Sequence, residues 1–153
     1  MNFKKLFSST LLCATLLLTR PADAAGGPTG VGAIIGDPTG VSAKHWISET
    51  TAIDAAFAWT LDKSNAFGVH ADYLLHVPNI VRIGKADFTM HYGIGGALVL
   101  ADSSAFAFRA PVGLNYRFDE NPIDLFVELA GLLLVAPSTD FDINVGLGAR
   151  YYF

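Results

Sequence analysis

The stretch that decides the fold is the last one in the chain, residues 140–153, with the sequence DFDINVGLGARYYF. Every second residue from Phe141 to Phe153 is apolar, and the residues between them are mostly charged, amide or glycine. A period of two places these two sets on opposite faces of a β-strand. A face of charge, amide and glycine suits a barrel lumen filled with water or side chains. This stretch therefore predicts one long strand of a β-barrel.

The same alternation recurs seven times upstream, with turn-forming residues between the runs. Residues 77–86 are the longest connection and are predicted to be irregular. Eight antiparallel, hairpin-linked strands are enough to close a small barrel, which leaves no strand edge exposed. The predicted fold class is all-β, an eight-stranded antiparallel up-and-down transmembrane β-barrel. The predicted strands are residues 30–36, 41–47, 53–61, 67–76, 87–100, 106–118, 123–133 and 140–153.

The N-terminus has the pattern of a cleavable signal peptide. Lys4 and Lys5 precede an apolar run, residues 6–18, and the small-x-small pattern Ala22-Asp23-Ala24 follows. The apolar run is shorter than the roughly 20 residues that a membrane helix needs. We therefore expect an exported protein with a signal peptide at residues 1–24 and a β-barrel at residues 25–153.

Charge and cysteine content exclude two classes of protein. The predicted signal peptide contains Lys4, Lys5, Arg20 and Asp23, so the ten basic and 14 acidic residues of the whole chain become seven and 13 in the mature protein. Its net charge of −6 makes nucleic acid an unsuitable partner. The single cysteine lies inside the signal peptide, so a disulfide framework is not expected either.

The orientation of the predicted strands follows from where the charges fall. A soluble barrel of the lipocalin kind has its apolar face inside, whereas a membrane barrel has it outside. Here the charged residues share a face with many glycines, which suits a narrow interior. Aromatic residues lie near both ends of the opposite face, as the interfacial girdles of a membrane barrel do. The residues assigned to the lumen face are Lys44, Asp54, Asp72, Asp87, Arg109, Arg117, Asp124, Glu128, Asp142 and Arg150.

An eight-stranded barrel is only wide enough for its own side chains to fill, so the lumen charges should pair with one another. A tight turn after strand six places Arg117 opposite Asp124, and the next register places Asp124 opposite Arg150. We interpret the cluster as structural, with a proton or small-ion path as the alternative. The predicted network consists of Arg117, Asp124, Arg150, Glu128, Arg109, Asp72, His91 and His70.

The histidines of the sequence also allow metal-binding and catalytic interpretations. A hairpin centred on residues 77–86 brings Asp72 opposite His91, and with His70 these could bind zinc. A histidine hydrogen-bonded to an aspartate is the preferred interpretation, so no metal and no cofactor are predicted. A serine nucleophile needs a nearby histidine. The nearest pair along the chain is His45 with Ser48, and no Gly-x-Ser-x-Gly motif occurs. Enzymatic activity is therefore not expected.

The whole mature chain resembles small, porin-like bacterial outer-membrane barrels of the OmpX or OmpA-barrel type. The resemblance is carried by the signal peptide, the eight alternating strands and the terminal Tyr151-Tyr152-Phe153. It implies a location in the outer membrane of a Gram-negative envelope, with membrane lipid and the barrel insertion machinery as partners. It also implies that Tyr151 and Phe153 form the insertion signal. The chain departs from the family pattern in its short outer loops and in lacking a periplasmic peptidoglycan-binding domain, so adhesion and wall anchoring are not expected.

Three functions remain open from the sequence. The first is a monomeric, non-enzymatic outer-membrane protein with a structural, envelope or narrow-transport role. The second is a soluble periplasmic or secreted lipocalin-like barrel that binds an apolar ligand. The third is a lipid-modifying outer-membrane enzyme.

Overall fold

The computed structural model describes residues 26–37, 39–59, 67–101 and 103–153. In these segments no helix is long and apolar enough to span a membrane. The predicted signal peptide, the end of predicted strand three at residues 60–61, the predicted turn at 62–65, and turn positions 38 and 102 lie outside the described residues. The strands are β1 (Thr29–Asp37), β2 (Gly40–Trp46), β3 (Thr51–Trp59), β4 (Phe67–Ile83), β5 (Ala86–Leu100), β6 (Ala105–Arg117), β7 (Ile123–Ala136) and β8 (Asp140–Tyr152).

These strands form a closed barrel in sequence order. Each strand pairs antiparallel with the next, and β8 returns to pair with β1 from Gly30 opposite Tyr152 to Asp37 opposite Val145. Closure pairs β1 with β8, the two strands that would be unpaired edges in an open sheet. The prediction of an eight-stranded antiparallel barrel is confirmed. We call the end that holds the start of β1 and the end of β8 the terminal end, and the opposite end the far end.

Side chains alternate between the lumen and the outer surface in the part of each strand that forms the barrel wall, as the period of two requires. Val112, Val145 and Leu147 are exposed on the outer surface, whereas Arg109 and Arg150 are buried in the lumen. Outward residues also face one another across strand pairs. Val145 lies opposite Leu129 on β7, and Leu129 lies opposite Val112 on β6. The outward side chains in the middle of the described strands therefore form an apolar face, and the charged side chains at that level lie inside.

The connection at residues 77–86 is not irregular, contrary to the prediction. β4 continues to Ile83 and β5 begins at Ala86, so only residues 84 and 85 separate them. Gly84 has a φ of +63°, which glycine adopts without steric cost. The register shifts between Val77 and Val81, where Pro78, Asn79 and Ile80 form a bulge opposite the single residue Thr89. Pro78 cannot donate a hydrogen bond, and strands accept proline mainly at bulges and edges.

The corrected strands form a hairpin that extends past its neighbours at the terminal end. Pairing between β3 and β4 stops at Thr51 opposite Leu75, and pairing between β5 and β6 stops at Thr89 opposite Asn115. Asp87 lies beyond both limits and forms an exposed ion pair with Arg82. The assignment of Asp87 to the lumen was therefore wrong, because the hairpin carries it past the barrel wall.

Candidate functional site: the charged lumen

The middle of the lumen contains a three-residue charge cluster centred on Arg109. Its Nη1 donates a hydrogen bond to Asp72 Oδ2, and its Nη2 donates one to Glu128 Oε1 at 2.5 Å. Arg109 lies on β6, and its two partners come from β4 and β7. All three side chains are almost fully buried. A buried charge is tolerated when it is paired and hydrogen-bonded, so this arginine makes both carboxylates compatible with the interior.

A second cluster crosses the lumen from β8 to the other side of the barrel. Arg150 Nη2 donates to Asp54 Oδ2 at 3.0 Å, and Arg150 Nε donates to Ser42 Oγ, also at 3.0 Å. The guanidinium lies over the ring of Phe126, 3.9 Å from its centroid. A planar guanidinium suits both contacts because it stacks and forms hydrogen bonds at the same time. Arg150 on β8 therefore connects to β2 and β3 through hydrogen bonds and to β7 through ring stacking.

Hydrogen bonds continue from Glu128 toward the terminal end. The two ring nitrogens of His91 lie 3.1 Å from Glu128 Oε2 and 2.5 Å from Asn115 Oδ1. Asn115 Nδ2 donates to Asp124 Oδ2 at 3.2 Å, and the Tyr152 hydroxyl donates to the same oxygen at 3.0 Å. The polar groups thus form a connected network rather than isolated pairs, which stabilises buried polar atoms.

Lys44 and His76 form a further contact that the predicted network did not include. Lys44 Nζ donates to His76 Nε2 at 2.7 Å, and the His76 ring lies 4.3 Å from the ring of Trp46. Lys44 had been assigned to the lumen face, but its partner comes from β4, 32 residues away. The sequence pattern indicates that Lys44 and His76 both face the lumen, but this does not predict that they contact each other.

The predicted registers are found, but they do not set the ion pairs. Arg117 lies opposite Asp124 and Asp124 lies opposite Arg150. Arg150 nevertheless makes its ion pair with Asp54 across the lumen. Arg117 is exposed at the terminal mouth, with its guanidinium 4.8 Å from the centroid of the Tyr152 ring.

The predicted alignment of Asp72 with His91 is wrong. Asp72 lies opposite Gly95, and His91 lies opposite His76. The error follows from the irregular connection assumed at residues 77–86, because the two-residue turn moves the centre of the hairpin along the chain. His70 lies opposite Ala56 on β3. It is two residues closer to the far end of the barrel than Asp72.

Apolar side chains and glycines complete the filling of the lumen. Leu74, Phe126 and Tyr152 are almost completely buried inside the barrel. A Cβ atom at Gly95 would overlap the Asp72 carboxylate, and one at Gly148 would overlap the Phe126 ring. The glycines on the lumen face therefore provide the space that the larger lumen side chains occupy. The middle of the lumen is a packed interior.

Cavities lie toward the two ends of this packed region. The terminal cavity has a volume of about 520 Å³ and is lined by Trp46, His76, Arg117 and Asp124 among others. The far cavity has a volume of about 230 Å³, and its lining includes His70. Each cavity therefore reaches one part of the lumen network.

The residues considered for catalysis and for insertion lie elsewhere. His45 Nδ1 is 2.8 Å from Thr29 Oγ1, whereas Ser48 Oγ is 2.5 Å from Thr51 Oγ1. Each member of the candidate pair of His45 and Ser48 thus has a different partner. Tyr151 and Phe153 are both exposed on the outer face at the terminal end.

One comparison with known proteins supports the architecture. The crystal structure of the N-terminal β-barrel domain of Pseudomonas aeruginosa OprF matches with a TM-score of 0.59. The match covers 84% of this chain and 99% of that domain, at 16% sequence identity. This likeness shows the fold. No family model and no curated protein matches the sequence.

Proposed function

We propose that this protein is an integral outer-membrane β-barrel with a structural or envelope role, no enzymatic activity and no open pore. The observation that carries the proposal is the separation of the side chains. Apolar groups cover the outer surface, and paired charges fill the lumen. A barrel surrounded by lipid needs this arrangement, because hydrocarbon accepts apolar side chains and excludes charged ones.

The soluble lipocalin-like alternative fits the outer surface poorly. Ile94 and Leu147 are 72% and 62% exposed, and their outward neighbours are also apolar. Soluble monomers rarely expose contiguous apolar patches larger than a few hundred Å². In addition, a lipocalin-like barrel needs an apolar interior to bind its ligand, whereas the centre of this lumen contains Arg109 and Arg150.

The packed lumen favours a structural role over transport. An ion pair connects β3 to β8, and Arg109 on β6 pairs with carboxylates on β4 and β7, so charged contacts link strands across the lumen. A solute could pass only if these pairs opened, and opening would expose unpaired charges in a confined space. In the part of the barrel that the structure describes, this packing is compatible with transport of a proton or small ion along the hydrogen-bonded network.

The proposed partners follow from the outer surface. Membrane lipid would contact the apolar face, and Tyr151 and Phe153 would present the terminal aromatic signal to the barrel insertion machinery. Because the barrel closes on itself, its strands do not need a second copy to complete their pairing. We therefore propose a monomer.

Cell fractionation tests the proposed location. We expect the mature protein to sediment with the outer-membrane fraction and to require detergent for extraction. In gels the folded barrel should migrate differently before and after boiling, because a closed hydrogen-bonded barrel resists detergent at room temperature. Release by osmotic shock without detergent would instead support the soluble alternative.

Recordings in planar lipid bilayers test the closed lumen. The refolded barrel should insert without producing stable single-channel conductance, because side chains fill the space between the two cavities. An eight-stranded barrel leaves no aqueous channel once its interior is packed. Steady ohmic steps from heat-modifiable, correctly folded protein would contradict the proposal. A barrel known to conduct, inserted under the same conditions, provides the positive control.

A further inference from the structure

Three potential metal ligands converge on the lumen between the packed centre and the far cavity. Asp54 and Asp72 lie directly opposite each other on β3 and β4, and His70 lies two residues before Asp72 on the same face. One donor atom from each residue lies within 4.8 Å of the donor atoms of the other two. All three side chains are at least nine-tenths buried. This group differs from the set considered from sequence, because Asp54 takes the place of His91.

Each carboxylate in this group is held by one oxygen only. Asp72 Oδ2 accepts a hydrogen bond from Arg109, and Asp54 Oδ2 accepts one from Arg150. The other oxygen of each, Oδ1, is buried and has no hydrogen-bond partner among the described residues. Such atoms are costly to bury and call for an explanation. Asp72 Oδ1 is directed at Gly95, so the Asp72 oxygen nearest to the histidine is Oδ2. A bound cation would supply a partner for Asp54 Oδ1.

The histidine is positioned to complete such a site. His70 Nε2 lies 3.9 Å from Asp72 Oδ2, which is too long for a hydrogen bond. Zinc binds imidazole nitrogen and carboxylate oxygen at about 2.0–2.2 Å, so its ligand atoms lie roughly 3–4 Å from one another. The 3.9 Å between His70 Nε2 and Asp72 Oδ2 therefore suits a shared metal ion better than a direct hydrogen bond.

Charge and access agree with this interpretation. Like charges directly opposite each other on neighbouring strands destabilise a sheet, and Arg109 and Arg150 each offset one of these two carboxylates through a single oxygen. The two arginines resemble the outer-shell groups that orient metal-binding carboxylates in other proteins. His70 lines the far cavity, and Asp37 and Asp142 also line it, so a cation entering from that end would meet acidic groups first.

From this geometry we propose that Asp54, His70 and Asp72 bind a divalent transition-metal ion of the zinc type. One nitrogen and two oxygen donors match the ligands that zinc accepts. Three protein ligands leave a fourth position for water or a small solute, which would approach through the far cavity. The site lies outside the His91, Asn115 and Asp124 part of the network, so those residues are not needed as ligands.

Zinc titration of the refolded, metal-free barrel in detergent tests the proposal. Calorimetry with Zn²⁺ alone should give one ion per barrel. The affinity should fall at least about tenfold in His70→Ala and in Asp54→Asn, because loss of a ligand should cost no less than loss of an outer-shell group. Asp54→Asn retains an oxygen that can accept the Arg150 hydrogen bond, so it alters the proposed ligand more than the packing.

Matched variants separate this site from other zinc-binding groups. His45→Ala removes a histidine at the terminal end of the barrel. Asp124→Asn changes another buried carboxylate that has an unpartnered oxygen. Both should bind Zn²⁺ like the wild-type chain, and the heat-dependent gel shift identifies variants that have folded. Absence of zinc binding, equal binding by the folded ligand variants, or an equal loss in the controls would overturn the proposal.

Discussion

Replacing Arg109 with methionine is expected to lower the free energy of unfolding by about 3–5 kcal/mol, the usual cost of removing one partner from a buried ion pair. Methionine preserves much of the length of the side chain, so the packing changes less than the charge. The carboxylates of Asp72 and Glu128 would both lose their arginine partner in a buried environment. Urea unfolding in lipid vesicles, followed by the fluorescence of Trp46 and Trp59, measures the loss.

Two further variants make this prediction specific to burial. Adding Asp72→Asn and Glu128→Gln to Arg109→Met removes the stranded charges and should recover much of the lost stability, since uncharged replacements of a whole ionic cluster are often well tolerated. Arg82→Met breaks the exposed ion pair with Asp87 at the hairpin tip and should leave stability almost unchanged. Equal losses from Arg109→Met and Arg82→Met would show that the lumen cluster is not the source of the effect.

The face of each strand could be predicted from the sequence because the side-chain period of two is a local property. Leu147 is apolar and Arg150 is charged, and they lie on opposite faces of β8. The sequence of β8 alone predicts this, without knowledge of its partner strands. The register of Arg117 with Asp124 was also accessible, since the short turn at residues 119–122 limits the alignment of β6 with β7. Local pattern and turn length were therefore sufficient for the inward and outward faces and for the β6–β7 register.

The contacts across the lumen could not be predicted in the same way. Arg150 reaches Asp54, and Arg109 reaches Asp72, over strands that are not neighbours in the barrel. Such contacts depend on the stagger of all eight strands, which the sequence of one hairpin does not contain. The convergence of Asp54 with His70 and Asp72 was missed because the β3–β4 register, which places Asp54 opposite Asp72, was not predicted. His91 was considered as a ligand because of an error in the next hairpin. The bulge at Pro78 looked like a loop, and the resulting register put His91 in the place that belongs to Gly95.

Replacing Leu129 with arginine is expected to lower the free energy of unfolding in lipid vesicles by about 2–4 kcal/mol, the cost of an arginine on the lipid face near the middle of the bilayer. Leu129 is exposed on the outer surface near the middle of β7. An arginine there would have to leave water for hydrocarbon or distort the surrounding lipid. Urea unfolding in vesicles gives the free energy directly.

Leu125→Arg is the matched control, because Leu125 is the same residue type on the same face of the same strand, close to its terminal end. Its cost should be only about 0–1 kcal/mol, since a long basic side chain near the interface can place its charge in water. A difference between the two variants therefore measures depth in the bilayer rather than a general intolerance of arginine. On a soluble barrel both positions would face water, and surface substitutions of this kind usually change stability by no more than about 0.5 kcal/mol. Small and equal effects in folded protein would thus contradict the membrane location, whereas a large loss confined to Leu129 would support it.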